Sequence, residues 1–238
     1  MRQHSSRSGR VSSALGIAAG VILMAAACTS GAGPGTTTTS APPPAPKVPK
    51  VTAAQIASAV KTPGETVPVG GWAQVYVSAG NGGGTAETYL VRVASVVKGA
   101  PGEFKNVHLM GGTGGPSLKT AVPYFIAVQV AVVKGNPMVA SSPGSETVAD
   151  AGKDEHVAVL QEVTKLHTHC NPAPATGDLA SAEGRTLDAI MNRCTIAISD
   201  PGPQYAPTVL DIGALDSPTV PAGTPAASLA LPSPSPAG

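Results

Sequence analysis

The residues with the most evident capacity for chemistry are His167-Thr168-His169-Cys170. On an extended chain, positions two apart point to the same side, so His167 and His169 could grip one copper or zinc ion. His108, His156 or Met110 could add ligands after folding. No His, Cys or Asp recurrence has the spacing of a zinc motif, however, and Cys170 has a second claim on it. Copper or zinc binding is therefore the alternative to histidines that are solvated or packed in loops, with no cofactor. Asp150, Asp154 and Glu155 crowd around Gly152-Lys153 without the alternating ligand spacing of a calcium loop, and read as a charged turn. Gly80–Gly84 and Gly111–Gly115 lack the following helix and the Lys-Ser/Thr of a phosphate loop, so they too read as turns. No Gly-x-Ser-x-Gly elbow marks a nucleophile, and the chain reads as non-enzymatic.

The three cysteines divide by position. Arg2, Arg7 and Arg10 open the chain, Val11 to Ala27 carries no charge, and Ala25-Ala26-Ala27-Cys28 closes the apolar stretch. A basic start, a short apolar core and a small-residue exit make residues 1–27 a secretory signal peptide. The cysteine after the exit is similar to a bacterial lipobox, which makes Cys28 a site for diacylglycerol. Ala25 stands where such motifs more often carry Leu or Val, and simple secretion with an incidental Cys28 is the competing reading. Two acyl chains suffice for stable anchoring, where one is marginal. Outside the cytoplasm, the remaining pair Cys170 and Cys194 then reads as a structural disulfide.

Composition narrows the function classes. Fifteen Lys and Arg face fourteen Asp and Glu, which excludes the clustered basic excess of a nucleic-acid binder. Loss of the three leader arginines leaves twelve basic against fourteen acidic residues, so a lipid, not charge, must hold the chain to a membrane. The 28 Gly and 24 Pro are concentrated enough to mark soft segments. Residues 28–50 form a Pro- and Thr-rich stalk, disordered and extended, in which Thr36, Thr37, Thr38, Thr39 and Ser40 are candidates for O-glycosylation. Residues 217–238 repeat that composition with six further prolines, and are expected to be a disordered tail.

Residues 51–216 must then hold the fold. Thr52 to Val60 predicts a short helix. Trp72–Val77, Thr88–Val97, Tyr124–Val133, Val157–Glu162, Cys194–Ser199 and Thr208–Ile212 predict strands, with a weaker one at Glu146–Ala149. Phe104–Met110 alternates like a strand, with one face apolar only in part. Strands at short spacing between Gly, Pro and Asn turns predict an all-β, antiparallel Ig-like β-sandwich.

The order Gly70-Gly71-Trp72, Val75-Tyr76-Val77, Tyr89-Leu90-Val91-Arg92-Val93, Tyr124-Phe125-Ile126-Ala127-Val128, Cys170, Cys194-Thr195-Ile196-Ala197-Ile198 and Asp200-Pro201-Gly202 carries a likeness. It resembles the secreted Ig-like domains of actinobacterial lipoproteins, which are similar to the telokin-like immunoprotective extracellular protein family of mycobacteria. The likeness covers about Val67 to Gly213 and is one of strands and cysteines. The long, His-containing and Pro-rich segment before Cys194 departs from it. The resemblance implies an antiparallel sandwich in the cell envelope and carries no catalytic residues. The expected protein is a lipid-anchored domain on the extracytoplasmic face of the cell membrane, presenting a surface to another envelope protein or glycan. The alternative is a metal- or small-ligand-binding lipoprotein that uses His167 and His169.

Overall fold

In the computed structural model, the described residues are 48–77, 86–107, 116–136, 146–149, 156–160, 169–171, 186–213 and 224–237. Strand β4 (Val122–Lys134) sets the architecture. Its run of Val, Ile, Ala and aromatics is apolar at consecutive positions, which suits a strand covered on both faces. Antiparallel neighbours flank it: β3 (Glu87–Lys98) on one side and β7 (Met191–Ser199) on the other. β7 then pairs with β6 (Val157–Leu160), an edge strand. The far edge of β3 is shared by β2 (Ala73–Val77), antiparallel, and β10 (Ser235–Pro236), parallel. A second, four-stranded sheet runs β1 (Thr66–Val67), β9 (Pro225–Ala230), β8 (Val209–Gly213), β5 (Glu146–Ala149). All its pairings are antiparallel except β1 with β9. The protein is therefore all-β, with two mostly antiparallel sheets arranged as a sandwich.

The principal core lies between the sheets. Tyr124, Ile126, Val128, Val130 and Val132 of β4 meet Leu210, Ile212, Ala227 and Leu229 of the smaller sheet there. Alternation sends the intervening β4 residues to the opposite, outer face, where two smaller clusters form. One gathers Phe104, Phe125, Ile196, Ile198, Leu160 and Cys170. The other gathers Trp72, Leu90, Ala131, Val51 and Ala59 under helix α1 (Ala53–Ser58). The helix has only six residues, and a capping box between Thr52 and Gln55 closes its first turn. At the sandwich edge Glu146 reaches across to β7, accepting from the Thr195 hydroxyl and standing 3.4 Å from Arg193 Nη1.

Three expectations are corrected. The tail is not disordered through residues 225–236: Pro225–Ala230 is an inner strand of the small sheet, and Ser235–Pro236 pairs with β3. Small residues suit that place, because Ala226, Ala227 and Ser228 lie close under neighbouring chains and are buried. Phe104–Met110 is no strand over its described part, since Pro101–Asn106 is a series of turns that drops Phe104 into the outer cluster. The folded chain also begins before residue 51, as Ile190 donates to the Pro49 carbonyl and Lys50 bridges to Ala189. Cys28, Thr36–Ser40 and the leader lie outside the described residues, as do His167, His108, Met110, Asp150, Asp154, Glu155 and both glycine runs.

Candidate functional site

The outer face of the six-stranded sheet is laid out in rows across β3, β4 and β7. Val97, Phe125 and Ile196 make one row, Ser95, Ala127 and Cys194 the next, and Arg92, Gln129 and Asn192 a third. Ser95 and Ala127 are small, so another chain segment can lie directly on the second row. Residues His169–Asn171 do so. Cys170 is bonded to Cys194 with Cα atoms 6.0 Å apart, as the sequence predicts. The Ser95 hydroxyl donates to the Asn171 carbonyl. His169 Nε2 lies 3.1 Å from Glu103 Oε1, and its ring stands edge-on to Phe125 at 4.9 Å. Glu103 is held in turn, its other oxygen accepting from the Ala100 N–H at 3.0 Å. Gly102 makes this turn possible, because at φ 68° a Cβ there would sit 2.6 Å from the Lys119 carbonyl.

Of the two histidines that form the alternative metal site, His167 and His169, only His169 is among the described residues. Its neighbours are a carboxylate and a phenyl ring, and Cys170 is committed to the disulfide. Among the described residues, no three His, Cys, Asp or Glu side chains converge.

A second histidine pair was not marked by local sequence. His156 Nδ1 is 2.8 Å from Asp200 Oδ2, and the Asp200 N–H donates to the His156 carbonyl at 3.0 Å. The imidazole stacks on Tyr205 at 4.2 Å, within the 3-10 turn Pro203–Tyr205. Behind it, Ser199 is fully buried and its hydroxyl donates to the Asp200 carbonyl at 3.1 Å. Ser199 also hydrogen-bonds Tyr124, whose phenol is pushed above its ordinary pKa by burial and partly drawn back by that bond. A Ser, a His and an Asp thus meet here, but the serine faces inward with its proton engaged. The arrangement ties β6 to the end of β7 and presents no nucleophile.

The third row is the polar strip of the face. Arg92 Nε donates to Gln129 Oε1 at 2.8 Å, and Gln129 Nε2 donates to Asn192 Oδ1 at 3.1 Å. The guanidinium carbon of Arg92 lies 4.7 Å from the centre of the Trp72 ring. All three polar side chains are half-buried. The strip runs between the α1 cluster and the disulfide-pinned segment, so it has an apolar wall on each side. No family model matches the chain, and no curated protein or solved structure matches it either.

The reading must come from the chemistry of the face itself. The sequence shows Arg92 flanked by apolar residues in its strand, but nothing in it places Gln129 or Asn192 beside it. The available signal was a polar residue within each of three largely apolar strands, not set apart from the other polar residues there. Only the register turns three isolated residues into a connected row.

Proposed function

We propose that this is a non-enzymatic cell-envelope lipoprotein, anchored through a diacylglyceryl-modified Cys28, which presents a β-sandwich of Ig-like kinship to another envelope component. The observation that carries the reading is the sequence around Cys28: a basic start, an uncharged core, Ala25-Ala26-Ala27 and then an uncharged Pro- and Thr-rich stretch reaching toward the first described residue, Val48. The geometry is compatible with presentation. The half-buried polar side chains Arg92, Gln129 and Asn192 share one sheet face, while His156 and His169 are paired within the domain with Asp200 and Glu103. The stalk would set the reach, at about 3.1 Å per residue where extended. Among the described residues, no helix is long and apolar enough to cross a membrane.

The test is expression of the full chain in a bacterium that processes lipoproteins, followed by detergent-phase partitioning and intact mass. The wild type should enter the detergent phase and carry the mass of the lipid on a chain beginning at Cys28. Cys28→Ala should lose both. Equal partitioning and an equal lipid mass for the variant would overturn the anchor.

A further inference from the structure

We propose that the row Arg92–Gln129–Asn192 is a binding site for an acidic sugar, with the carboxylate held at Arg92 and sugar hydroxyls along the two amides. The hydrogen bonds along the row run in one direction, from Arg92 Nε through the Gln129 amide to Asn192 Oδ1. That direction fixes both amide orientations and leaves donors at both ends. The two Nη groups of Arg92 have no acceptor among the described residues, and neither does the Asn192 Nδ2 amide. Trp72 adds to the excess at the Arg92 end: the side chain is 5% exposed, and its indole N–H is without an acceptor.

Charge makes the same demand. Arg92 is half-buried, yet the ion pairs of the described residues involve His156, His169 and Arg193, with none to Arg92. The guanidinium carbon lies over the Trp72 ring, and its two Nη groups, without an acceptor among the described residues, suit a two-pronged contact with a carboxylate. Two further strands continue the row, so the ligand is extended and offers neutral groups beyond its charge. Gln129 and Asn192 oxygens each retain acceptor capacity, and Asn192 retains its donors, a combination that suits hydroxyls. A peptide taken up by strand addition would need a sheet edge, whereas this row lies on a face.

This inference rests on the presentation reading only in taking the outer face as the presented surface, and the two fail separately. Trp72 is the only tryptophan in the chain and lies beneath Arg92, so its fluorescence reports on the site directly. The full chain in detergent micelles would be titrated with digalacturonate, up to about 10 mM and at constant ionic strength. Digalactose and tetraglutamate serve as comparison ligands. Digalacturonate should give a saturable change that digalactose does not. Arg92→Gln should weaken binding roughly tenfold or more, and Arg92→Lys should restore only part of it. Asn192→Ala, at the far end of the row from Trp72, should weaken binding a few-fold and keeps the test open if Arg92 variants misfold. No saturable response to digalacturonate, or equal affinity in a folded Arg92→Gln variant, overturns the site. A response to tetraglutamate alone overturns the sugar assignment. Detergent partitioning of Cys28→Ala is unaffected by any of these outcomes.

Discussion

The two sheets solve the problem of burial with different residues. The centre of the larger sheet is covered on both faces, so β4 carries bulk at nearly every position: Tyr124, Ile126 and Val128 inward, Phe125 and Val133 outward. The smaller sheet contributes bulk to one side only. Its inward residues are Val67, Val148, Leu210, Ile212, Ala227 and Leu229, while Thr66, Ser228, Asp211 and Thr147 share a register across its four strands. The smaller sheet is also assembled from remote pieces, with β1 near residue 66, β5 near 147 and β8–β9 beyond 208. The larger sheet offers a second face on which polar groups can be arranged. The smaller sheet mainly closes the core.

If the small sheet is only a cover, loss of its inner strand should still be fatal, because among the described residues it alone closes that side of the core. A chain ending at Thr224 lacks β9 and β10, and with them Ala226, Ala227 and Leu229 of the core. We expect no cooperative thermal unfolding and exposed apolar surface by dye binding. A truncated chain that melts as the intact one does would show that the larger sheet folds alone.

Point changes on either side of the core sharpen the same contrast. Ile126→Ala in the large sheet and Leu229→Ala in the small one each remove a buried side chain at 0% and 2% exposure. Each should cost about 2–5 kcal/mol in denaturant unfolding, with a single transition. Two separated transitions in either variant would mean that the sheets unfold independently. Reducing the Cys170–Cys194 bond acts on the outer face, behind the core. The cysteines are 24 residues apart, so the entropic model sets the loss at about 3.5 kcal/mol. The sandwich should survive with a lower melting temperature, and an unchanged melt after verified reduction would remove the bridge from the stability account.

This division also explains what was legible in the residues. β4, β3 and β7 announce themselves because β-branched and aromatic side chains must fill space on their buried faces. The segment Pro225-Ala226-Ala227-Ser228-Leu229-Ala230 has the composition of a linker, and nothing local distinguishes it from one. It is a strand because two neighbours supply its hydrogen bonds and the other sheet covers Leu229, which are properties of the fold. The disulfide was legible from cysteine arithmetic, since assigning Cys28 to the leader's exit leaves Cys170 and Cys194 as a pair. The polar row was not, because Arg92, Gln129 and Asn192 are 37 and 63 residues apart. Pairing register alone makes them adjacent.

The smallest expected effect probes Tyr124, a phenol that burial within the core perturbs upward. Tyr124 is 2% exposed in the layer between the sheets, and burial favours its neutral form. An unfolded tyrosine ionises near pH 10, so above that pH the unfolded chain releases a proton that the folded chain keeps. The contribution is therefore complete below pH 10 and is lost as pH rises through the folded pKa. Tyr124→Phe should remove it, giving a shallower fall in the urea midpoint between about pH 9.5 and 11. At neutral pH the same variant should lose about 1 kcal/mol with its hydrogen bond to Ser199, whose proton still has the Asp200 carbonyl. Identical alkaline slopes for variant and wild type would mean that Tyr124 ionises freely, and that water reaches the layer between the sheets at this end of β4.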